Sequence, residues 1–131
     1  MARPIHFEIH ASEPERLINF YTELFGWRIE RWGEMPYWNV STGPDDSGEV
    51  GIDGGLLPRE GPAPAAGAPL NAMPITVGVD DCAATLARAV ELGGSQSMGV
   101  SPIPGIGWLA YIIDPDGNKF GIMQPDDSAT L

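Results

Sequence analysis

Apolar and polar residues alternate along the first stretch of the chain. Phe7, Ile9 and Ala11 fall on one face, and His6, Glu8 and His10 on the other. That period of two predicts a half-buried strand over residues 5–11. Leu17, Phe20, Tyr21, Leu24 and Phe25 then recur at helical spacing, which predicts a helix over 14–25. Ser12 offers an N-cap, Pro14 fits the first turn, and Glu13 and Glu15 suit the positive end. Gly26 stops the helix as a C-cap. Alternation resumes over 27–32, over 35–42 (carrying Tyr37, Trp38 and Val40) and over 49–57, with a loop at 43–48. Gly51, Gly54 and Gly55 weaken the last of these, and glycines inside a strand mark a bulge or a close backbone approach.

Pro58 to Ala72 is rich in Pro, Ala and Gly and reads as a linker. A strand over Pro74–Val79 follows, then a helix capped by Asp80 or Asp81, with Leu86, Ala89, Val90 and Leu92 along one side. Gly93-Gly94 ends it. Strands over 95–101, 107–113 and 119–124 complete the pattern, with a Pro-Ile-Pro-Gly turn after the first. Between the last two lies Asp114-Pro115-Asp116-Gly117-Asn118, a run of turn dipeptides in which Gly117 and Asn118 tolerate positive φ. It predicts a closing β-hairpin. The tail from Pro125 to Leu131 is polar and is expected to fray.

The two halves repeat. A shift of 68 residues carries Phe7, Ile9 and Ala11 onto Ile75, Val77 and Val79, Glu13 onto Asp81, Leu24 onto Leu92 and Gly26 onto Gly94. The fold class is therefore α+β. Two βαβββ modules sit in one domain over 1–131: module one about 4–57, linker about 58–72, module two about 73–124, tail 125–131. Each helix covers one face of its sheet. The free faces are expected to curl into a concave mixed-sheet cup with the helices outside.

Composition narrows the partners. The net charge is −11, from 18 acidic and 7 basic residues, and such a surface repels phosphate backbones, so nucleic acid is not expected. Acidity by itself names no ligand. No run of about 18 apolar residues occurs, so no membrane span is expected. The N-terminus lacks an apolar signal region, which points to the cytoplasm. Cys82 is the single cysteine, so neither an intramolecular disulfide nor an all-cysteine zinc site can form. It reads as a small buried thiol at a helix start, or as a lone nucleophile.

Five stretches together carry a resemblance. They are His6-Phe7-Glu8-Ile9, Asn19-Phe20-Tyr21 with Leu24-Phe25-Gly26-Trp27, Val79-Asp80-Asp81, Glu91-Leu92-Gly93-Gly94, and Asp114-Pro115-Asp116-Gly117-Asn118. With them the chain resembles the vicinal oxygen chelate superfamily, which holds glyoxalase I, bleomycin-resistance proteins and extradiol dioxygenases. The resemblance covers residues 4–124 and implies paired βαβββ modules, usually assembled as a homodimer. Members that use a metal take one ligand from the first and last strand of each module. Those positions fall on His6 and Pro74 in the first strands. In the last strands they fall on Gly121, where metal enzymes carry glutamate, and, by the repeat offset, on Asp53. Two of the four can ligate, and a divalent metal wants three or more protein ligands. Glu8 and His10 lie roughly 7 and 13 Å from His6 along a straight strand, so neither readily completes the set. A bulge or a dimer partner could supply a missing ligand.

His6, Glu8, His10, Asp53, Trp38 and Trp108 are the candidate contacts to a small molecule, with Tyr111 as a further lining aromatic. A neutral histidine beside a carboxylate can act as a general base. The same residues could equally be polar lining of a wet groove or a dimer seam. Asp53 also reads as a turn residue before Gly54-Gly55, and Asp114 and Asp116 read as turn formers. Gly105-Ile106-Gly107 is too short for a dinucleotide loop. No catalytic residue stands out, and no cofactor is expected. The chain therefore reads as a glyoxalase/bleomycin-resistance-like protein that binds a small organic molecule in its sheet cup without a complete metal site. The alternatives are a metal-dependent lyase, isomerase or dioxygenase using His6 and Asp53, and a non-catalytic protein-interaction module.

Overall fold

A computed structural model describes residues 6–44, 46–65, 68 and 75–130. The elements run β1 (Phe7–Ala11), α1 (Pro14–Phe25), β2 (Arg28–Arg31), β3 (Trp38–Ser41), β4 (Gly54–Pro58), β5 (Thr76–Gly78), α2 (Cys82–Glu91), β6 (Ser95–Ile103), β7 (Gly107–Ile113) and β8 (Lys119–Pro125). The fold is α+β, and the order strand, helix, three strands occurs twice. The chain divides into two compact units, Met1–Ala63 and Pro64–Leu131. Each holds a four-stranded mixed sheet, ordered β1-β4-β3-β2 and β5-β8-β7-β6.

In the first unit β1 runs parallel to β4, with Phe7 opposite Gly54 and Ile9 opposite Leu56. β3 joins β4 and β2 by antiparallel ladders. Ile9, Ala11, Val40 and Leu56 form the buried face, and Leu17, Phe20 and Tyr21 of α1 are buried with them. Each of the larger apolar side chains contributes roughly 1.5–3 kcal/mol by leaving water. Trp27 closes one end of this core, stacked on Tyr21 at 5.3 Å and packed on Phe7 at 6.0 Å. Gly26 ends α1 at φ 71°, its N–H donating to the Thr22 carbonyl.

The N-cap of α1 is Glu13 and not Ser12, and no side chain caps it. Pro14 is the cause. Proline excludes the preceding residue from helical geometry, so Glu13 stays extended while its carbonyl accepts from Leu17 N–H at 3.2 Å. Strands β3 and β4 are shorter than the alternation predicts. Residues 49–53 lie outside the ladder.

In the second unit β5 runs parallel to β8, and β7 joins β8 to β6. Pro74, the predicted start of β5, lies outside the described residues, as does part of the expected linker. Asp81 caps α2, its carboxylate accepting from Ala84 N–H at 3.0 Å. Cys82, Leu86 and Ala89 form the buried stripe of α2. Val90 was expected on that stripe, but it is 50 % exposed, one step of the helix round from Ala89. β6 runs on through Pro102 and Ile103, so the turn is Pro104–Ile106 and not the whole Pro-Ile-Pro-Gly segment. β6 is an edge strand, where proline costs no ladder bond.

Asp114 holds the last hairpin. It is 3 % exposed, and its carboxylate accepts from Asp116 N–H, Asn118 N–H and Asn118 Nδ2 at 2.8–3.0 Å. Gly117 takes φ 86°, while Asn118 keeps a negative φ. The C-terminal segment does not fray as expected. Asp126 N–H donates to the Ile106 carbonyl, Gly105 N–H donates to the Ala129 carbonyl, and Ala129 is 1 % exposed. These long-range bonds strap it over the 104–106 turn. Among the described residues no helix is long and apolar enough to cross a membrane.

Candidate functional site

Alternation along β1 leaves His6, Glu8 and His10 on the face of the first sheet turned away from α1. Next to Glu8 in β4 is Gly55, and next to Gly55 in β3 is Asn39. Gly55 has no side chain, and the Tyr37 ring lies over it. Tyr37 is fixed from behind by the β2–β3 connection, where its carbonyl accepts from Trp32 N–H at 2.8 Å. The Trp32 ring stands edge-on to it at 6.0 Å. The Tyr37 hydroxyl donates to Glu8 Oε2 at 3.0 Å and lies 3.0 Å from His6 Nε2. His6 Nε2 and Glu8 Oε2 are 3.8 Å apart. Three groups from two separate chain segments thus meet above one glycine.

The Tyr37–Glu8 bond sets the direction of donation at this cluster. A hydroxyl has one hydrogen, and Tyr37 gives it to Glu8. His6 Nε2 must then carry the hydrogen of the second bond. The order of donation is His6 N–H to Tyr37 O, and Tyr37 O–H to Glu8 carboxylate. Burial, and after it the hydrogen bond and negative charge of Glu8, push the Tyr37 phenol above its ordinary value. Tyr37 stays a neutral donor. The His6 and Glu8 side chains are 49 % and 44 % exposed, within reach of a ligand.

The other sequence candidates lie elsewhere. His10 is at the far end of β1, where its carbonyl accepts from Arg59 Nη2 at 3.1 Å. Asp53 accepts from Thr42 N–H at 2.8 Å, and the one hydrogen of the Thr42 hydroxyl is shared between the Ile52 carbonyl at 2.9 Å and Asp53 Oδ1 at 3.2 Å. Its carboxylate ties the end of β3 to the approach to β4, beside a small polar cavity of about 220 Å³ in the 42–53 loop. Trp38 shares the face of buried Val40, under the Arg31 guanidinium at 5.4 Å. Trp108 shares the face of Ala110 and Ile112, and its indole N–H donates to Asp126 Oδ2 at 3.1 Å. Neither tryptophan is on the helix-free face of its sheet. Tyr111 is, beside Gly121 and below the Lys119 ammonium at 4.9 Å. Cys82 is fully buried, and burial followed by the Asp81 charge pushes its thiol up, as suits a packing residue.

The repeat offset changes within the modules. Ile9 pairs with Leu56 and its counterpart Val77 pairs with Ile122, so the last strands correspond at a shift of 66, not 68. The stretch from first to last strand is two residues shorter in the second module. Gly121 therefore matches Gly55, and Asp53 is not its counterpart. The four family ligand positions become His6, Gly55, Pro74 and Gly121. A side chain at Gly55 would overlap the Tyr37 hydroxyl. One at Gly121 would sit 2.9 Å from Thr76 Oγ1 and 3.1 Å from the Tyr111 ring. Among the described residues no group of three or more His, Cys, Asp or Glu could hold a metal ion. This donor set does not fit a divalent metal.

Tyr37 is the site residue that sequence reading missed. Its signals were present but separate: Gly55 as a point of close approach, and Tyr37 two residues from the Asn39 that pairs with it.

Fold and sequence signatures together define a protein of the vicinal oxygen chelate class. The glyoxalase-like domain family matches residues 6–123, and the chain belongs to that family. A probable chloroplastic lactoylglutathione lyase of Arabidopsis thaliana is 30 % identical over 93 % of this chain and 35 % of its own length. The chain thus spans about a third of that relative. A glyoxylase-like domain-containing protein of Didymella fabae is 28 % identical over 88 % of each chain. Among solved structures, TnmS3, an antibiotic binding protein from Streptomyces sp. CB03234, superposes with a TM-score of 0.62 at 25 % identity, over 96 % of this chain and 98 % of that one.

Proposed function

We propose that this chain binds a small organic molecule without a metal, at the helix-free face of its first sheet. His6, Glu8 and Tyr37 are the contact groups. The observation that carries the reading is the placement of the Tyr37 hydroxyl over Gly55, bonded to both His6 and Glu8. A hydrogen-bonded organic cluster stands where a metal-using relative would carry a ligand side chain. The antibiotic-binding relative from Streptomyces supports a sequestering role, which needs complementarity and no catalytic group. A homodimer in the cytoplasm belongs to the same reading. The lyase, isomerase and dioxygenase reading requires ligands that Gly55, Pro74 and Gly121 do not supply.

The test is a thermal-shift screen of small organic compounds, antibiotics included, run with chelator and again with zinc, nickel or manganese. Ligands should raise the melting temperature equally in both conditions, since binding to the folded state stabilises it by mass action. Tyr37→Phe should weaken the response, and the ions alone should produce none. Protein that retains stoichiometric metal, lost on His6→Ala, overturns the proposal.

A further inference from the structure

The hydrogen-bond directions in the His6–Tyr37–Glu8 cluster bear on what it can hold. Both side-chain donors are used inward: His6 N–H on Tyr37, and Tyr37 O–H on Glu8. What remains for a ligand is the second oxygen of Glu8, an acceptor, together with His6 Nδ1, which accepts when the imidazole is neutral. Among the described residues no arginine or lysine pairs with Glu8. The nearby cations have other engagements. Arg31 bonds the Met35 and Glu34 carbonyls and covers Trp38 on the opposite face. Arg28 faces Glu30, and Arg59 bonds the His10 carbonyl. A half-exposed carboxylate, braced by a tyrosine and with no arginine or lysine partner among the described residues, sits in a chain of net charge −11.

Building on the binding reading above, we infer that this cluster selects ligands bearing a cationic hydrogen-bond donor, a protonated amine or amidine, and rejects carboxylates and phosphates. An ammonium group would complete the charge of Glu8 and give a charge-assisted bond. A carboxylate would meet the like charge of Glu8. Tyr37 acts here as a positioning residue. It holds Glu8 in place, so the carboxylate is ready before the ligand arrives.

Three probes sharing one ring test this: benzylammonium, benzyl alcohol and benzoate. The readout is NMR titration of the His6 and Tyr37 ring signals. Benzylammonium should shift both saturably and bind at least about tenfold more tightly than benzoate, with the alcohol between them. Its affinity should fall as salt rises to about 0.5 M, because a partly exposed ion pair is screened. Glu8→Gln keeps the shape and the acceptor for Tyr37 but removes the charge, and it should abolish the preference. Benzoate binding at these signals as tightly as benzylammonium overturns the inference, as does a preference that survives Glu8→Gln. Saturable shifts confined to Tyr111 and its neighbours would sink this inference and the first-sheet location, while leaving small-molecule binding in place. Failure of all three probes, together with a screen that yields no ligand, would sink the binding reading itself.

Discussion

The hydroxyl of Tyr37 occupies the space that a side chain at residue 55 would need. One position earlier, a side chain at Gly54 would run into the carbonyl oxygen and ring of Phe7. The two obstacles differ in kind. The first is the far end of a side chain, and the second includes strand backbone. Gly55→Ala should therefore push Tyr37 off His6 and Glu8 and cost about 1–3 kcal/mol. Gly54→Ala should cost more than about 3 kcal/mol, because only separation of β1 from β4 relieves it. Urea unfolding of the two variants checks the order. Equal losses would mean that Tyr37 does not fill that space.

Tyr37 should ionise above the ordinary tyrosine value of 10.0. Its folded value is raised, so the stability it contributes is complete below that pH and is lost as pH climbs through the folded value. Ring-carbon NMR of labelled tyrosine reads this directly. Glu8→Gln should lower the midpoint without fully normalising it, because burial, the larger cause, remains. A midpoint at or below 10.0 in the native chain would contradict the hydrogen-bond order drawn above.

Asp114 accepts three hydrogen bonds inside the closing hairpin. Asp114→Ala strands those donors and should destabilise the chain by about 2–4 kcal/mol. Asp114→Asn should recover part of that, since one oxygen survives while its NH₂ opposes the amide of Asn118. Thermal or urea unfolding of both variants gives the comparison. An alanine variant as stable as the parent would demote Asp114 to a passive turn residue.

Asp126 is held below its ordinary value of 3.8, first by the Ser128 hydroxyl, then by the Trp108 indole and the Ser128 N–H. A depressed carboxylate contributes stability that is present above 3.8 and is lost as pH falls through the lower, folded value. The Trp108 indole N–H resonance should move in that acid range as its acceptor protonates. Asp126→Asn should remove the movement. A Trp108 signal indifferent to pH in the native chain would show the strap to be loose.

Much of this was legible in the sequence, because it rests on local pattern. The α1 stripe of Leu17, Phe20 and Tyr21, the stop at Gly26, the α2 cap narrowed to Asp80 or Asp81, and the Asp114 turn each depend on residues a few positions apart. The rest depended on partners far along the chain. Trp38 and Trp108 sit in stretches, 35–42 and 107–113, that carry aromatic side chains on both faces, so alternation did not say which face was which. Asp53 was matched to the wrong partner because two residues are missing between the first and last strands of the second module. Tyr37 enters the site only because Gly55 admits it, and that is a property of strand pairing. The tail read as polar and loose because its fastenings lie at Gly105, Ile106 and Trp108.

Lys119 is the chain's single lysine, and it stands over the Tyr111 ring on the helix-free face of the second sheet. Amine-directed chemistry therefore has one side-chain address in this protein. A fluorophore or crosslinker placed there needs no engineered cysteine, and none need be removed, since Cys82 is shut inside. Among its side chains the molecule offers a single amine for conjugation, with the reporter seated on Tyr111.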